Sequence, residues 1–320
     1  MSSSSVQPSD LRGVIAMMPS FTVDDGGDID AIDTIDVDRL REGVDRLIGD
    51  GVDAIATTGS FGEVYNLLPE ELETLSRAAV EAVDGRVPLF IGCTEPNPRA
   101  TLERLRMIRD AGATGAFVGA PYYMPQTVDN AVRFFEELAL AFPALSFMLY
   151  HNPGLHHVTL PVPAVIRLSA QPNIVAIKDS HRDTVPFAKL LAGVKDNLQI
   201  YVYQAQMFPY AVMGANGCWS INVWMGPWPV LQLRDACAAG DWDAARAIAA
   251  EAFGGDTPGT DSRYRELQLK IAVRAAGYCD PGPLRAPFWD LPDDVVQAAE
   301  ARGRRWSELA EDFRRNPRYG

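Results

Sequence analysis

Short apolar runs recur along this chain, separated by longer stretches whose apolar residues fall at helical spacing. The runs are GVIAMM (13–18), DAIATTG (53–59), VPLFIGC (87–93), GAFVGAP (115–121), LSFMLYHN (145–152), IVAIKDS (174–180), LQIYVYQ (198–204) and CWSINV (218–223). They are near-continuous rather than alternating, as expected of strands covered on both faces. VDRLREGVDRLIGDG (37–51) repeats apolar positions every three or four residues and ends at a glycine. PEELETLSRAAVEAVDG (69–85) opens with proline and acids at its positive end and stops at Gly85. NPRATLERLRMIRDAGA, DNAVRFFEELALAF, VPAVIRLSA and TVPFAKLLAGV follow the same plan, with a short crossover at 206–213 and a long helix near 227–239. Eight strands alternating with helices predict an α/β fold, a (β/α)8 TIM barrel. A doubly wound sheet is the weaker alternative, because no GxGxxG turn follows the first strand.

Beyond residue 240 the strand signals stop. GDWDAARAIAAEAF, DSRYRELQLKIAVRAAG and PDDVVQAAEARGRRWSELAEDFRR read as helices around a proline-rich PGPLRAPFW. The expected organisation is a disordered arm over 1–10, the barrel over 11–240, and a C-terminal helical extension over 241–320 packed on it. The polar start MSSSSVQPSD lacks the basic and then apolar regions of a signal peptide, and no apolar run reaches the length of a membrane span. A cytoplasmic location is expected. The 320 residues are 47% hydrophobic and carry a net charge of −13. Such an acidic chain repels phosphate backbones, which argues against nucleic acid as a partner. Cys93, Cys218, Cys237 and Cys279 are widely spaced with no CxxC pair, so free buried thiols are expected. His151, His156, His157 and His181 show no HxH or HExxH spacing, so no metal is expected.

Arginine outnumbers lysine, with only Lys178, Lys189, Lys195 and Lys270 present. Three of these sit in helical patterns that read as solvated. Lys178 instead ends the apolar run NIVAIK inside a predicted central strand. Burial there disfavours the ammonium form, and a neutral amine attacks a carbonyl to give an imine. The alternative is a lysine paired with a carboxylate such as Asp179. In this fold the strand C-termini ring one mouth. Tyr150 ends the fifth strand, Tyr122 and Tyr123 follow the fourth, and Gly59, Ser60 and Phe61 follow the second. A tyrosine beside an imine nitrogen can relay protons. The Gly59–Gly62 turn can present successive N–H groups to a carboxylate, with its glycines supplying the backbone angles. Each also has a plain reading: an amphipathic core tyrosine, and an ordinary loop.

Taken in order, G-S-F-G-E (59–63), P-Y-Y (121–123), Y-H-N-P (150–153) and I-K-D (177–179) resemble the dihydrodipicolinate synthase / N-acetylneuraminate lyase superfamily over roughly residues 10–295. The phenylalanine in GSFGE, the YHNP motif, GDWDAARAI, PLRAPFWDLPDD and the RRWSELAEDF tail are most similar to its branch of benzylidenepyruvate hydratase-aldolases. The resemblance implies Lys178 as the Schiff-base lysine, Tyr150 as the catalytic tyrosine, and Ser60 with the Phe61 backbone as the carboxylate loop. It also implies a homotetramer, and no cofactor beyond the covalent imine. Two departures disfavour lysine biosynthesis. Phe61 stands where the synthases carry a proton-relaying threonine, and GLHHV (154–158) lacks their carboxylate-gripping arginine. A polyol substrate would need many polar partners. Phe61, Trp219, Trp224 and Trp228 offer a flat apolar wall instead, and Trp219, on strand eight, is the strongest candidate of the tryptophans to face the site.

The reaction this implies joins Lys178 to the 2-oxo group of a β,γ-unsaturated 2-oxo acid. Water, placed by Asn152 or Tyr150, adds to C4, and retro-aldol cleavage gives an aldehyde and pyruvate. His156 or His157 either touches the distal part of the substrate or lies in a solvated loop. Two alternatives remain: another lyase of the superfamily, such as a sugar-acid aldolase or dehydratase or a dihydrodipicolinate synthase-like enzyme, and a non-catalytic barrel that binds 2-oxo acids.

Overall fold

In a computed structural model, which describes residues 6–254 and 264–319, all eight apolar runs become strands. They are β1 (Gly13–Met17), β2 (Ala54–Ala56), β3 (Leu89–Gly92), β4 (Gly115–Gly119), β5 (Ser146–His151), β6 (Ile174–Asp179), β7 (Gln199–Tyr203) and β8 (Gly217–Ser220). Each pairs in parallel with the next and β8 pairs with β1, closing an eight-stranded barrel. The helices α1 (Val37–Gly49), α2 (Pro69–Val83), α3 (Pro98–Asp110), α4 (Val128–Ala141), α5 (Pro153–His156), α6 (Val162–Leu168), α7 (Thr184–Val194), α8 (Met207–Ala211) and α9 (Trp228–Ala239) lie along it. The strands read as continuous apolar runs because one face fills the barrel interior and the other meets this helical layer.

The helices start and point as their sequences dictate. Asp36 accepts the Arg39 N–H at the start of α1, Asn97 accepts from Arg99 and Ala100 at α3, and Thr127 accepts from Asn130 at α4. In α1 the buried Leu40, Val44 and Leu47 form one stripe against the barrel. Each such side chain contributes roughly 1.5–3 kcal/mol.

The expected disordered arm fails from Val6 onward. Val6 is buried and its carbonyl accepts from Ser146 Oγ at 2.9 Å, and Pro8–Asp10 form a 3-10 turn. Residues 1–5 lie outside the described residues. After α9 come α10 (Trp242–Phe253), α11 (Arg265–Ala276) and α12 (Asp293–Arg315). The last two pack along one another, and Gly303 makes this possible: a Cβ there would lie 2.1 Å from the Ala272 carbonyl oxygen. Trp306 Nε1 donates to the Gly226 carbonyl at 3.0 Å and Gln232 Nε2 to that of Phe313 at 2.9 Å, tying α12 to the barrel. Among the described residues no helix is long and apolar enough to cross a membrane.

Candidate active site

Strand alternation decides which side chains meet inside the barrel. Tyr150 on β5 is in register with Lys178 on β6, and His151 with Asp179. Successive residues face opposite sides of a sheet, so the first pair enters the barrel mouth and the second lies behind it. Lys178 Nζ sits 4.4 Å from the centroid of the Tyr150 ring and 3.8 Å from that of Trp219. Lys178 is 8% exposed and has no hydrogen bond or ion pair among the described residues.

Asp179, the carboxylate that could have held Lys178, is engaged on the other face. It lies 3.2 Å from His151 Nδ1 and accepts from Arg182 Nε at 2.5 Å. The Leu160 N–H donates to His151 Nε2 at 3.1 Å, which assigns the ring proton to Nδ1. Burial would raise the Asp179 carboxyl, but the His151 hydrogen bond and the Arg182 charge outweigh it and hold it below the usual range. Lys178 is therefore left to the cavity.

The Tyr150 hydroxyl lies 3.0 Å from Ser60 Oγ and accepts from Asn152 Nδ2 at 3.4 Å. Phe117 stacks on its ring, with centroids 4.6 Å apart, and His156 meets it edge-on at 4.9 Å. His156 is not on a solvated loop. It is buried, its Nε2 has no partner among the described residues, and it fills the space left by the missing side chain of Gly119. Burial pushes its pKa down to about 3.

The Gly59–Gly62 turn differs from the expectation in detail. The left-handed residues are Thr58 (φ 46°) and Glu63 (φ 51°), not the glycines. Gly62 is needed for close approach instead: a Cβ would stand 2.7 Å from the Thr58 nitrogen. The N–H groups of Ser60 and Phe61 meet no backbone acceptor among the described residues, and both residues line the cavity. Glu63 anchors the turn. It accepts from Lys270 Nζ at 2.5 Å, from Arg285 at 2.9 Å and from Ser20 Oγ at 2.5 Å. Burial would raise the Glu63 carboxyl, but these two cations outweigh it. Lys270, read from sequence as solvated, is thus fully buried on α11, because the apolar face of that helix carries it beneath the turn. Lys189 and Lys195 are exposed.

Ser60, Tyr150 and Lys178 line a cavity of about 400 Å³. Met17, Met18, Phe61, Trp219, Ile221 and Leu269 give it apolar walls, and Gly59, Asn152, Asn222, Arg265 and Glu266 also face it. Tyr122 and Tyr123 do not join the lining. β4 ends at Gly119 and the chain turns outward through Pro121, leaving Tyr123 77% exposed. Nor do two of the tryptophans. Trp224 is fully buried and edge-on to Phe21, and Trp228 packs near Tyr278 and Arg314. Arg265, Glu266 and Asn222 were missed from sequence. For Arg265 and Glu266 the hint was a charged pair in a C-terminal helical pattern, and for Asn222 its place at the end of the CWSINV run. Among the described residues no cluster of His, Cys, Asp and Glu is arranged to hold a metal ion.

Comparison with known proteins adds an independent line. The model of the dihydrodipicolinate synthetase family matches residues 27–301. The trans-2'-carboxybenzalpyruvate hydratase-aldolase of Nocardioides sp. (strain KP7) is 31% identical, covering 98% of each chain. The trans-o-hydroxybenzylidenepyruvate hydratase-aldolase of Sphingobium xenophagum is 30% identical, covering 95% of this chain and 96% of its own. The solved structure of PhdJ bound to a substrate intermediate superposes with a TM-score of 0.91 at 30% identity, covering 97% of this chain and 99% of that one.

Proposed function

The chain belongs to the dihydrodipicolinate synthetase family, and from that premise we propose that it is a Schiff-base, pyruvate-forming lyase, a hydratase-aldolase acting on aromatic β,γ-unsaturated 2-oxo acids. One observation carries the reading. Lys178 Nζ is buried, unpaired among the described residues, and set between the rings of Tyr150 and Trp219 at the strand C-termini.

Lys178 condenses with the 2-oxo group, and the protonated imine becomes the electron sink. The Ser60 and Phe61 N–H groups take the substrate carboxylate. The Tyr150 hydroxyl, in contact with Ser60, moves protons during carbinolamine formation and dehydration and during C–C cleavage. The aryl group lies along Phe61, Trp219 and the methionines, which suit a flat apolar ring better than a polyol. Phe61 brings no hydroxyl to relay protons, which sets the site apart from the synthase pattern. No cofactor is needed beyond the imine. The homotetramer and cytoplasmic location belong to this reading, and light scattering on the purified protein tests the former.

Borohydride reduction in the presence of pyruvate tests the core of it. A stable adduct on Lys178, absent in Lys178→Ala, is expected. No adduct on the wild type ends the proposal, and binding of pyruvate without turnover or exchange of its methyl protons would favour a silent binding barrel.

A further inference from the structure

Hydration of an enone requires a water near C4 with acceptors for its hydrogens and a base for one of them. The imine end of the cavity has little capacity to spare, since Ser60, Tyr150 and Asn152 are hydrogen-bonded to one another. Two other acceptors line the same cavity. Asn222, just after β8, is 4% exposed, and its Oδ1 is buried without a partner among the described residues. Its backbone is fixed by Gln204 Oε1, which accepts the Asn222 N–H at 3.4 Å. Glu266, in the first turn of α11, is half-buried and has no hydrogen bond or ion pair among the described residues.

A buried acceptor left without a hydrogen bond is costly, so the unpaired amide oxygen of a residue that lines a cavity points to something that pairs with it. Burial raises the Glu266 carboxyl, and the charges of Lys178 and Arg265 oppose the rise, which also places the group within the electrostatic reach of the reacting nitrogen.

Resting on the reading above, we propose that Asn222 and Glu266 together hold the water that adds to C4 of the imine-bound substrate, with Glu266 as its base. Asn222 Oδ1 accepts one hydrogen and the Glu266 carboxylate the other, which turns an oxygen lone pair toward C4. The new bond joins that oxygen to C4. The C3–C4 π pair moves to form the C2–C3 enamine, and the imine nitrogen becomes neutral. The water proton passes to Glu266, which then returns it to C3. The protonated imine is restored and the carboxylate is regenerated, so the net change is one water added across C3–C4. Cleavage of the resulting 4-hydroxy acid is left to Tyr150.

Two substrates separate the steps: a 4-aryl-2-oxobut-3-enoate, which must be hydrated, and the matching 4-hydroxy-4-aryl-2-oxobutanoate, which needs only cleavage. Glu266→Gln is expected to lose on the order of 100-fold in kcat on the enone and several-fold less than that on the hydroxy acid. Asn222→Ala is expected to show the same split, roughly tenfold. Equal losses on both substrates, or none on either, overturn the proposal. Borohydride trapping with pyruvate, run on each variant, keeps the two readings apart. A wild type that traps pyruvate and cleaves the hydroxy acid but ignores the enone sinks the water site and leaves the aldolase standing.

Discussion

The ion cluster beneath the Gly59–Gly62 turn makes a quantitative prediction. Glu63 and Glu71 are set against Lys270 and Arg285. Thr34 links Arg285 to Glu71, accepting from the guanidinium at 2.8 Å and donating to the carboxylate. Two buried negative charges thus meet two positive ones. Glu63→Gln leaves one cation uncompensated and Lys270→Met leaves one carboxylate uncompensated, so each is expected to cost ~3–5 kcal/mol. A chain of this kind has only ~5–15 kcal/mol in total, so the singles should be folded but fragile. The double variant removes one charge of each sign and leaves Arg285 facing Glu71. Its cost is expected to fall short of the sum of the singles by ~2–3 kcal/mol. Guanidinium unfolding of all four proteins, followed by tryptophan fluorescence with slopes compared, measures this. The work belongs at pH 7, since burial lowers the Lys270 ammonium to about 8. Strictly additive costs would show that Glu63 and Lys270 are not acting as a pair, and that the turn is held by something else.

Three further outcomes follow from the site. Tyr150→Phe keeps the ring that packs on Phe117 but removes the hydroxyl, so kcat should fall ~10²–10⁴-fold with pyruvate trapping slowed; unchanged turnover would take Tyr150 out of its role. In Gly119→Ala the new Cβ would stand 2.3 Å from His156 Cε1, forcing that ring onto Tyr150 at a cost of ~1–3 kcal/mol with reduced kcat, and a variant matching wild type in both Tm and rate would refute the close packing. His156 is buried neutral at about 3 while its unfolded value is 6.5. Between those values the unfolded chain binds a proton that the folded one does not, so stability falls as pH drops through that window, by up to several kcal/mol. Melting curves from pH 7 to pH 4 should lose less in His156→Leu than in wild type, and parallel acid limbs would contradict the assignment.

The barrel was legible because its signals are local. Each strand is an apolar run bounded by turn residues, and each helix carries its own stripe and cap. Lys178 stood out for the same reason, as one cation inside such a run. Its meeting with Tyr150 required only that adjacent strands end at the same rim. Features set by which way a side chain turns after its strand ends were not legible. Tyr122 and Tyr123 follow β4 as closely as Ser60 follows β2, yet the chain swings away there, and no composition marks the difference. Trp224 and Trp219 are only five residues apart, but one is swallowed by the core around Phe21 and the other faces the amine. Lys270 read as solvated because a helical pattern with many charges does not reveal which charge has a buried partner some two hundred residues earlier. Arg265 and Glu266 reach the cavity by packing of the C-terminal helices, a long-range contact with no periodicity to announce it.

The cavity has two owners. The amine and the phenol are fixed to the hydrogen-bonded cylinder, whereas Arg265, Glu266 and Leu269 arrive on a helix attached to its outside, the same helix whose Lys270 braces the Gly59–Gly62 turn through Glu63. On the function proposed above, grafting the first turn of that helix from a relative, with Lys270 kept, is expected to change which aldehyde is released while leaving Lys178 and Tyr150 in place, so new catalysts of this type are better sought by varying the roof than the floor.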